Sequence, residues 1–211
     1  MSALSGKLIR DRLATDDLAK RLVISPLLEP GEQLRDDQAS IDIRLGFEFA
    51  FAAPSSHGAI DEFGVGLDQH QPASFQTLYR REYVPLGKRL VIHPHQFILA
   101  ATLEYIRLPQ DIMGYVLSRS TWGRIGLIVA TAVGIQPGFA GSLTLEIRNL
   151  GESPVALYPG QAIAQLVFHE ISGGKVSGDG LGQYSGMTEI LPRKMSATRT
   201  REKLQKLTKL G

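Results

Sequence analysis

Hydrophobic positions fall into two patterns along this chain. Between Gly6 and Leu22, the residues Leu8, Ile9, Leu13, Leu18 and Leu22 are spread among charges, which predicts one or two short helices. Beyond that point the apolar residues gather into short runs broken by Gly, Pro and polar turns. The runs lie at 41–45, 47–51, 90–92, 97–106, 112–117, 127–132, 143–147, 154–157 and 162–168. Many short strands at fairly regular spacing predict a mainly β chain closed as a barrel or sandwich. Residues 53–75 read as a long insertion or flap. The six glycines of 173–186 read as a mobile stretch, and residues 199–210 as a partly helical end with a thin stripe of Leu204, Leu207 and Leu210.

Composition narrows the classes. A chain of 211 residues with 43% hydrophobic content can bury a core as one domain, here 1–191, followed by a basic tail, 192–211. No apolar run is long enough to span a bilayer, and the first residues open no signal segment, so no membrane partner is expected. With no cysteine there are no disulfides or thiolate ligands, which fits a cytoplasmic location. The net charge of +2 is unevenly placed: the tail holds seven Lys/Arg against one Glu, +6, which leaves the body at −4. The body therefore predicts no nucleic-acid partner, and the tail reads as a solvated end.

Two places carry candidate chemistry. After the run ending at Leu117 come Ser118, Arg119, Ser120, Thr121, Trp122, Gly123, Arg124, Ile125 and Gly126. Hydroxyls, guanidinium forks and exposed backbone N–H groups bind phosphate oxygens well, and Gly123 and Gly126 permit close approach or unusual φ angles. By composition alone the same residues make an ordinary Arg-rich surface turn. The second place is Ser142-Leu143-Thr144-Leu145-Glu146-Ile147-Arg148, where alternation puts Leu143, Leu145 and Ile147 on one face and Thr144, Glu146 and Arg148 on the other. Glu146 is then either a solvated carboxylate paired with Arg148 or a general base on a pocket face. Trp122 reads as a packing residue. His93-Pro94-His95 reads as a turn or strand end, and His57, His70 and His169 as structural.

Several linked stretches, in order, resemble the dCTP deaminase/dUTPase superfamily over roughly residues 6–192. They are 38–46 (Gln-Ala-Ser-Ile-Asp-Ile-Arg-Leu-Gly), 93–109, the 118–127 turn, 136–149 and 157–166 (Leu-Tyr-Pro-Gly-Gln-Ala-Ile-Ala-Gln-Leu). The resemblance implies a distorted β-barrel or jelly roll of the dUTPase-like type, with short N-terminal helices and a C-terminal extension. It also implies a homotrimer with sites between subunits. As a deaminase, the chain would convert dCTP to dUTP and ammonia without metal at the base. Glu146 would be general base, with Ser120 and Arg124 assisting. Arg119, Ser120, Thr121, Gly123 and Arg124 would hold the triphosphate with its Mg²⁺. Gln136 would meet the deoxyribose, the backbone at Thr144 and Leu145 the pyrimidine edge, and Gln165 and Tyr184 the remaining substrate contacts. No protein metal ligand is implied, and a zinc deaminase is excluded by the missing cysteines.

The chain departs from the superfamily in places. dUTPases usually carry an aliphatic residue where Glu146 stands, which favours the deaminase branch. Gln136 stands where an aspartate orients the hydrolytic water of dUTPases; a glutamine hydrogen-bonds a hydroxyl but takes no proton from water. Near the C-terminus, Gln183-Tyr184-Ser185-Gly186-Met187 keeps the Tyr and Gly of the deaminase closing stretch but lacks its Lys and final Gln, with Lys175 the candidate replacement for the charge. Two alternatives stand beside dCTP deamination: a dUTP diphosphatase or bifunctional enzyme, and a non-catalytic protein that senses nucleotides or binds a partner.

Overall fold

The structure, a computed structural model, describes residues 2–53, 78–130, 134–172, 190 and 206. Helix α1, Gly6–Ala14, starts at Ser5, whose Oγ accepts from Leu8 N at 3.3 Å. That side chain satisfies one of the donors a helix start leaves without a carbonyl. Ile9 is the apolar residue α1 buries, and Arg12 clamps the helix to the barrel through Asp111 at 2.7 Å and Glu170 at 3.1 Å. Next come β1, Val23–Ser25, the short helix α2, Pro30–Gln33, and β2, Ile41–Ala52. The expected runs 41–45 and 47–51 are thus one strand, continuous across a register shift between Leu45 and Phe49. Gly46 lies in that shift, and a Cβ there would come within 3.0 Å of the Ala101 and Thr102 carbonyls.

The remaining strands are β3, Tyr79–Tyr83; β4, Leu90–Ile92; β5, Phe97–Arg107; and β6, Ile112–Ser118. A four-residue helix, α3, Ser120–Gly123, precedes β7, Leu127–Val129, and β8, Gly134–Ile135. The chain continues through β9, Ala140–Asn149, β10, Val155–Leu157, and β11, Ala162–Glu170. The main sheet runs β7-β9-β5-β2-β11-β6-β8, with β1 beside β5 and β3 beside β2, all antiparallel; β4 and β10 form a separate pair. The sheet curls so that β6, next to one end, reaches β7 at the other. Ser118 Oγ, at the end of β6, donates to the Val129 carbonyl of β7 at 3.0 Å and accepts from Val129 N at 3.3 Å. The expected mainly β, barrel-like fold with few short helices is what the chain adopts.

Alternation along the long strands fills the interior. Ile41, Ile43 and Leu45, Ile98 and Ala100, Leu143, Leu145 and Ile147, and Ile163, Leu166 and Phe168 join one core. Each such Leu, Ile or Phe contributes about 1.5–3 kcal/mol by leaving water, so the core dominates the fold's stability. Strands β1, β3 and β8 had no counterpart among the expected apolar runs. β3, Tyr-Arg-Arg-Glu-Tyr, is too polar to register as one, and β1 and β8 are two or three residues long. The His93–His95 stretch is a turn, as expected, with Gln96 N donating to His93 O at 3.1 Å. The expected flap at 53–75 and the mobile 173–186 stretch lie outside the described residues, apart from Ala53. Of the basic tail only Lys206 is described.

A polar cluster lies off the core face of β2. Arg44 Nε donates to Glu104 Oε1 at 2.7 Å and Arg44 N to Glu104 Oε2 at 2.9 Å, while Gln33 Nε2 reaches Glu104 Oε1 at 3.3 Å. Arg44 Nη2 also donates to the Pro26 carbonyl at 3.0 Å. Glu104 is wholly inaccessible to water and Arg44 is 6% exposed. Breaking such a pair costs far more than deleting it, because the remaining charge has no solvent. Arg44→Met is therefore expected to lower stability by about 3–5 kcal/mol, and Arg44→Met with Glu104→Met to recover most of the loss. Urea unfolding of the three proteins checks this, and an unchanged midpoint for the single variant would refute it.

Candidate active site

The sequence predicts a phosphate-gripping turn after β6, and the short helix α3 stands at that place. Its first carbonyls accept in sequence: Arg119 O from Trp122 N at 3.1 Å and Gly123 N at 3.2 Å, then Ser120 O from Arg124 N at 3.0 Å. Among the described residues no acceptor takes the N–H of Ser120 or Thr121, and the side chains of Ser120, Thr121 and Arg124 are exposed. Trp122 turns inward, donating from Nε1 to Ala162 O at 2.9 Å and packing against the core. It therefore anchors the turn to β11. Of the two glycines, Gly126 carries the special backbone, with φ +85°, and a Cβ there would come within 2.6 Å of Gly151 N. Gly123 has ordinary φ and open space around it, so close approach by a ligand is the only role left of the two expected for it.

Arg119, the residue capping α3, is half-buried and forms an ion pair with Asp42 of β2. The other oxygen of Asp42 accepts from Gln165 Nε2 of β11 at 2.9 Å. Asp42 and Gln165 are direct cross-strand partners, and Gln165 also lies opposite Leu117, next to the turn. One carboxylate thus fixes two residues of the expected substrate-binding set. Asp42 sits in the 38–46 stretch, but its role was not legible, because nothing in linear sequence shows that positions 77 and 123 residues away converge on it. An arginine held through one nitrogen keeps its other N–H donors for an anion, which a lysine cannot do with the same geometry.

Glu146 lies on β9 with its side chain away from the core, as alternation predicts. Glu146 is exposed, as the solvated reading expects, but no ion pair joins it to Arg148, and among the described residues its carboxylate makes no hydrogen bond. Its nearest cross-strand neighbours on that face are apolar, while Thr144 and Arg148 flank it along β9. Glu146 pairs with Leu99 of β5, which pairs with Ala50 of β2. Leu99, Ala50 and Ala101 form a second small cluster with Ile190, against which Tyr79 and Phe97 pack. Glu146 therefore projects beside a dry floor, outside the barrel. On the neighbouring edge, β7 pairs with β9 only at 147–149, and Ala130 N donates to Glu146 O at 2.7 Å. The β9 edge at Thr144 and Leu145 has no strand beside it on that side among the described residues, while the Leu145 side chain is fully buried.

Gln136 opens a tight turn, its carbonyl accepting from Phe139 N at 3.1 Å with Gly138 at φ +77°, and its side chain is exposed. No hydrogen bond or ion pair joins Glu146 to Ser120 or Arg124 among the described residues. One chain therefore brings Arg119, Gln165 and Asp42 together, and joins Glu146 to none of them by a hydrogen bond or ion pair among the described residues. Tyr184, Lys175 and the rest of the closing stretch lie outside the described residues.

Comparison with known proteins identifies the class these features define. Residues 3–171 match the family model described as dCTP deaminase-like. A dUMP-forming dCTP deaminase of Methanobrevibacter smithii is 38% identical over 82% of this chain and 82% of its own length. A dCTP deaminase of Natronomonas pharaonis is 37% identical over 80% of each. The crystal structure of 2'-deoxycytidine 5'-triphosphate deaminase from Agrobacterium tumefaciens shares the fold, with a TM-score of 0.57 over 79% of this chain and 46% of that one at 20% identity. The chain belongs to the dCTP deaminase-like family, and it is an enzyme of the hydrolase class that acts on C–N bonds. No helix among the described residues is long and apolar enough to cross a membrane.

The double duty of Arg119 makes a test. Arg119→Lys is expected to keep the fold and weaken dCTP binding by about tenfold, the scale of one lost charge-assisted hydrogen bond. Titration calorimetry measures the affinity and thermal unfolding controls for the fold. Unchanged affinity would leave Arg119 as a structural partner of Asp42 alone.

Proposed function

We propose that this protein deaminates dCTP hydrolytically to dUTP and ammonia, with Glu146 as general base. The observation that carries the reading is an exposed carboxylate, without a partner among the described residues, on an apolar outer face of a chain in the dCTP deaminase-like family. Glu146 takes a proton from water as the oxygen bonds C4 of cytosine. It delivers that proton to ring N3 and then carries the remaining hydroxyl proton to the exocyclic nitrogen as the C4–N bond breaks, releasing ammonia and leaving the uracil carbonyl. A positioned base of this kind contributes about 10²–10⁴-fold in rate. Ser120 and Arg124 orient the water and stabilise charge on the ring. Arg119, Thr121 and the N–H groups at the start of α3 take phosphate oxygens, Gln136 and Gln165 bind towards the sugar and phosphates, and Gly123 leaves room for them.

Since Glu146 and the α3 turn make no bond within one chain, the reading completes the site across a subunit boundary in a homotrimer. Magnesium comes with the triphosphate. The described residues gather no cluster of three His, Asp or Glu side chains, and Asp42 is committed to Arg119 and Gln165, so phosphate oxygens and water are the donors that fit the ion.

A second reading, deamination coupled to pyrophosphate release, is favoured by the dUMP-forming relative at 38% identity. Against it stands Gln136, which accepts no proton from water. Incubation with dCTP, then dUTP, with ammonia and pyrophosphate assayed separately, distinguishes the two. Ammonia from dCTP without pyrophosphate supports the first reading; pyrophosphate supports the second. Glu146→Gln is expected to abolish ammonia release, at least 10²-fold, while binding of dCTP is retained. Binding by the unaltered protein with neither product would instead point to a nucleotide sensor.

A further inference from the structure

The turn that carries Gln136 rests on a side chain from another part of the chain. Residues 136–139 arrive from β8, where Ile135 pairs with Gly114 of β6, and leave into β9, where Ala140 pairs with Arg107 of β5. The turn therefore straddles residues 108–111, which connect β5 to β6. On the β9 side Leu108 N ties it down, donating to Phe139 O at 2.8 Å. Farther along, Gly138 holds φ +77° and has no side chain of its own, and the amide of Gln110 fills the space it leaves. A Cβ on Gly138 would come within 2.5 Å of Gln110 Nε2 and 3.2 Å of Gln110 Cδ. Gln110 Oε1 is buried, and no donor among the described residues meets it. Buried polar atoms ordinarily find partners, so shape rather than a bond to that oxygen holds the Gln110 amide against the turn.

We propose that Gln110 is a positioning residue for Gln136: its amide, wedged under Gly138, keeps the turn from sinking onto the β5–β6 connection and so sets where the Gln136 side chain meets the sugar. Gln136 is exposed, and its reach depends on the backbone beneath it. A hydrogen bond spans only about 2.7–3.2 Å, so a turn lowered by about 1 Å loses the contact. Because the wedge acts by shape, the length of residue 110 decides its effect. An apolar side chain of the same length keeps the support and removes an acceptor without a protein donor, a change that is neutral or stabilising. The assignment rests on the reading in which Gln136 binds towards the sugar, and adds to it a residue that touches no substrate.

Gln110→Ala removes the wedge. Titration calorimetry is expected to show dCTP affinity lowered about fivefold, the scale of one neutral hydrogen bond. The kcat for ammonia release at saturating dCTP should stay at the wild-type value, since binding is lost equally from ground and transition states. Gln110→Met is expected to restore wild-type affinity, with a thermal unfolding midpoint at or above that of the wild type. In a Gln136→Ala background, Gln110→Ala should lower affinity no further, because both act through one contact. Wild-type affinity in Gln110→Ala, affinity as low in Gln110→Met, or additive losses in the double variant would each overturn the assignment. Wild-type affinity in Gln136→Ala would remove the sugar contact and the role of Gln110 together. Ammonia release by the unaltered protein separates the levels: its absence with the affinity pattern intact removes deamination alone, and its presence with Gln110→Ala unaltered removes Gln110 alone.

Discussion

The Asp42 carboxylate is the point on which the proposed substrate end of this molecule depends. It takes Arg119 on one oxygen and Gln165 on the other, and so joins the central strand β2, the last strand β11 and the turn after β6. Asp42 and Arg44 are alternate residues on the same face of β2 but do different work. Arg44 meets a wholly buried Glu104 and locks the N-terminal segment around Gln33 and Pro26 to the barrel. Asp42 lies 20% exposed at the rim, where its ion pair remains open to a ligand's charge. Burial decides the difference: the inner pair is costly to break and holds structure, whereas the rim pair is weaker and can share its arginine.

Glu146 follows from a second constraint, the two-residue period of a strand. Leu145 and Ile147 must face the core, so Glu146 must face out. Water reaches this carboxylate, and the neighbouring strands place Leu99, Ala50 and Ala101 on the same outer face, with Ile190 and Tyr79 packed there too. The turn at α3 is built in the opposite manner. Trp122 anchors it inward, and that anchoring leaves Ser120, Thr121 and Arg124 outside with few internal bonds.

Much of this was legible in the chain. The strands β4, β5, β6, β9, β10 and β11 follow from apolar runs, and the inward set of β9 from alternation alone. The polar β3 left no apolar signal, although it carries Tyr79 to the Glu146 face; its signal is the aromatic-charged alternation Tyr-Arg-Arg-Glu-Tyr, which marks an edge strand only once a partner is known. The Leu45–Phe49 irregularity was read as a break between two strands because Gly46 interrupts the run, whereas the backbone passes through it to meet the Ala101 and Thr102 carbonyls.

By itself the sequence determined the β class, the family, the exposed turn and the outward direction of Glu146, since each depends on local period, composition or ordered motifs. Only the tertiary structure decided that Asp42 holds Arg119 and Gln165, that Glu104 is buried against Arg44, and that Tyr79 shares a floor with Glu146. Those pairings join residues 60 to 123 positions apart, which local periodicity does not relate. Strand register sets them, and register emerges only when the core faces of all the strands close on one another.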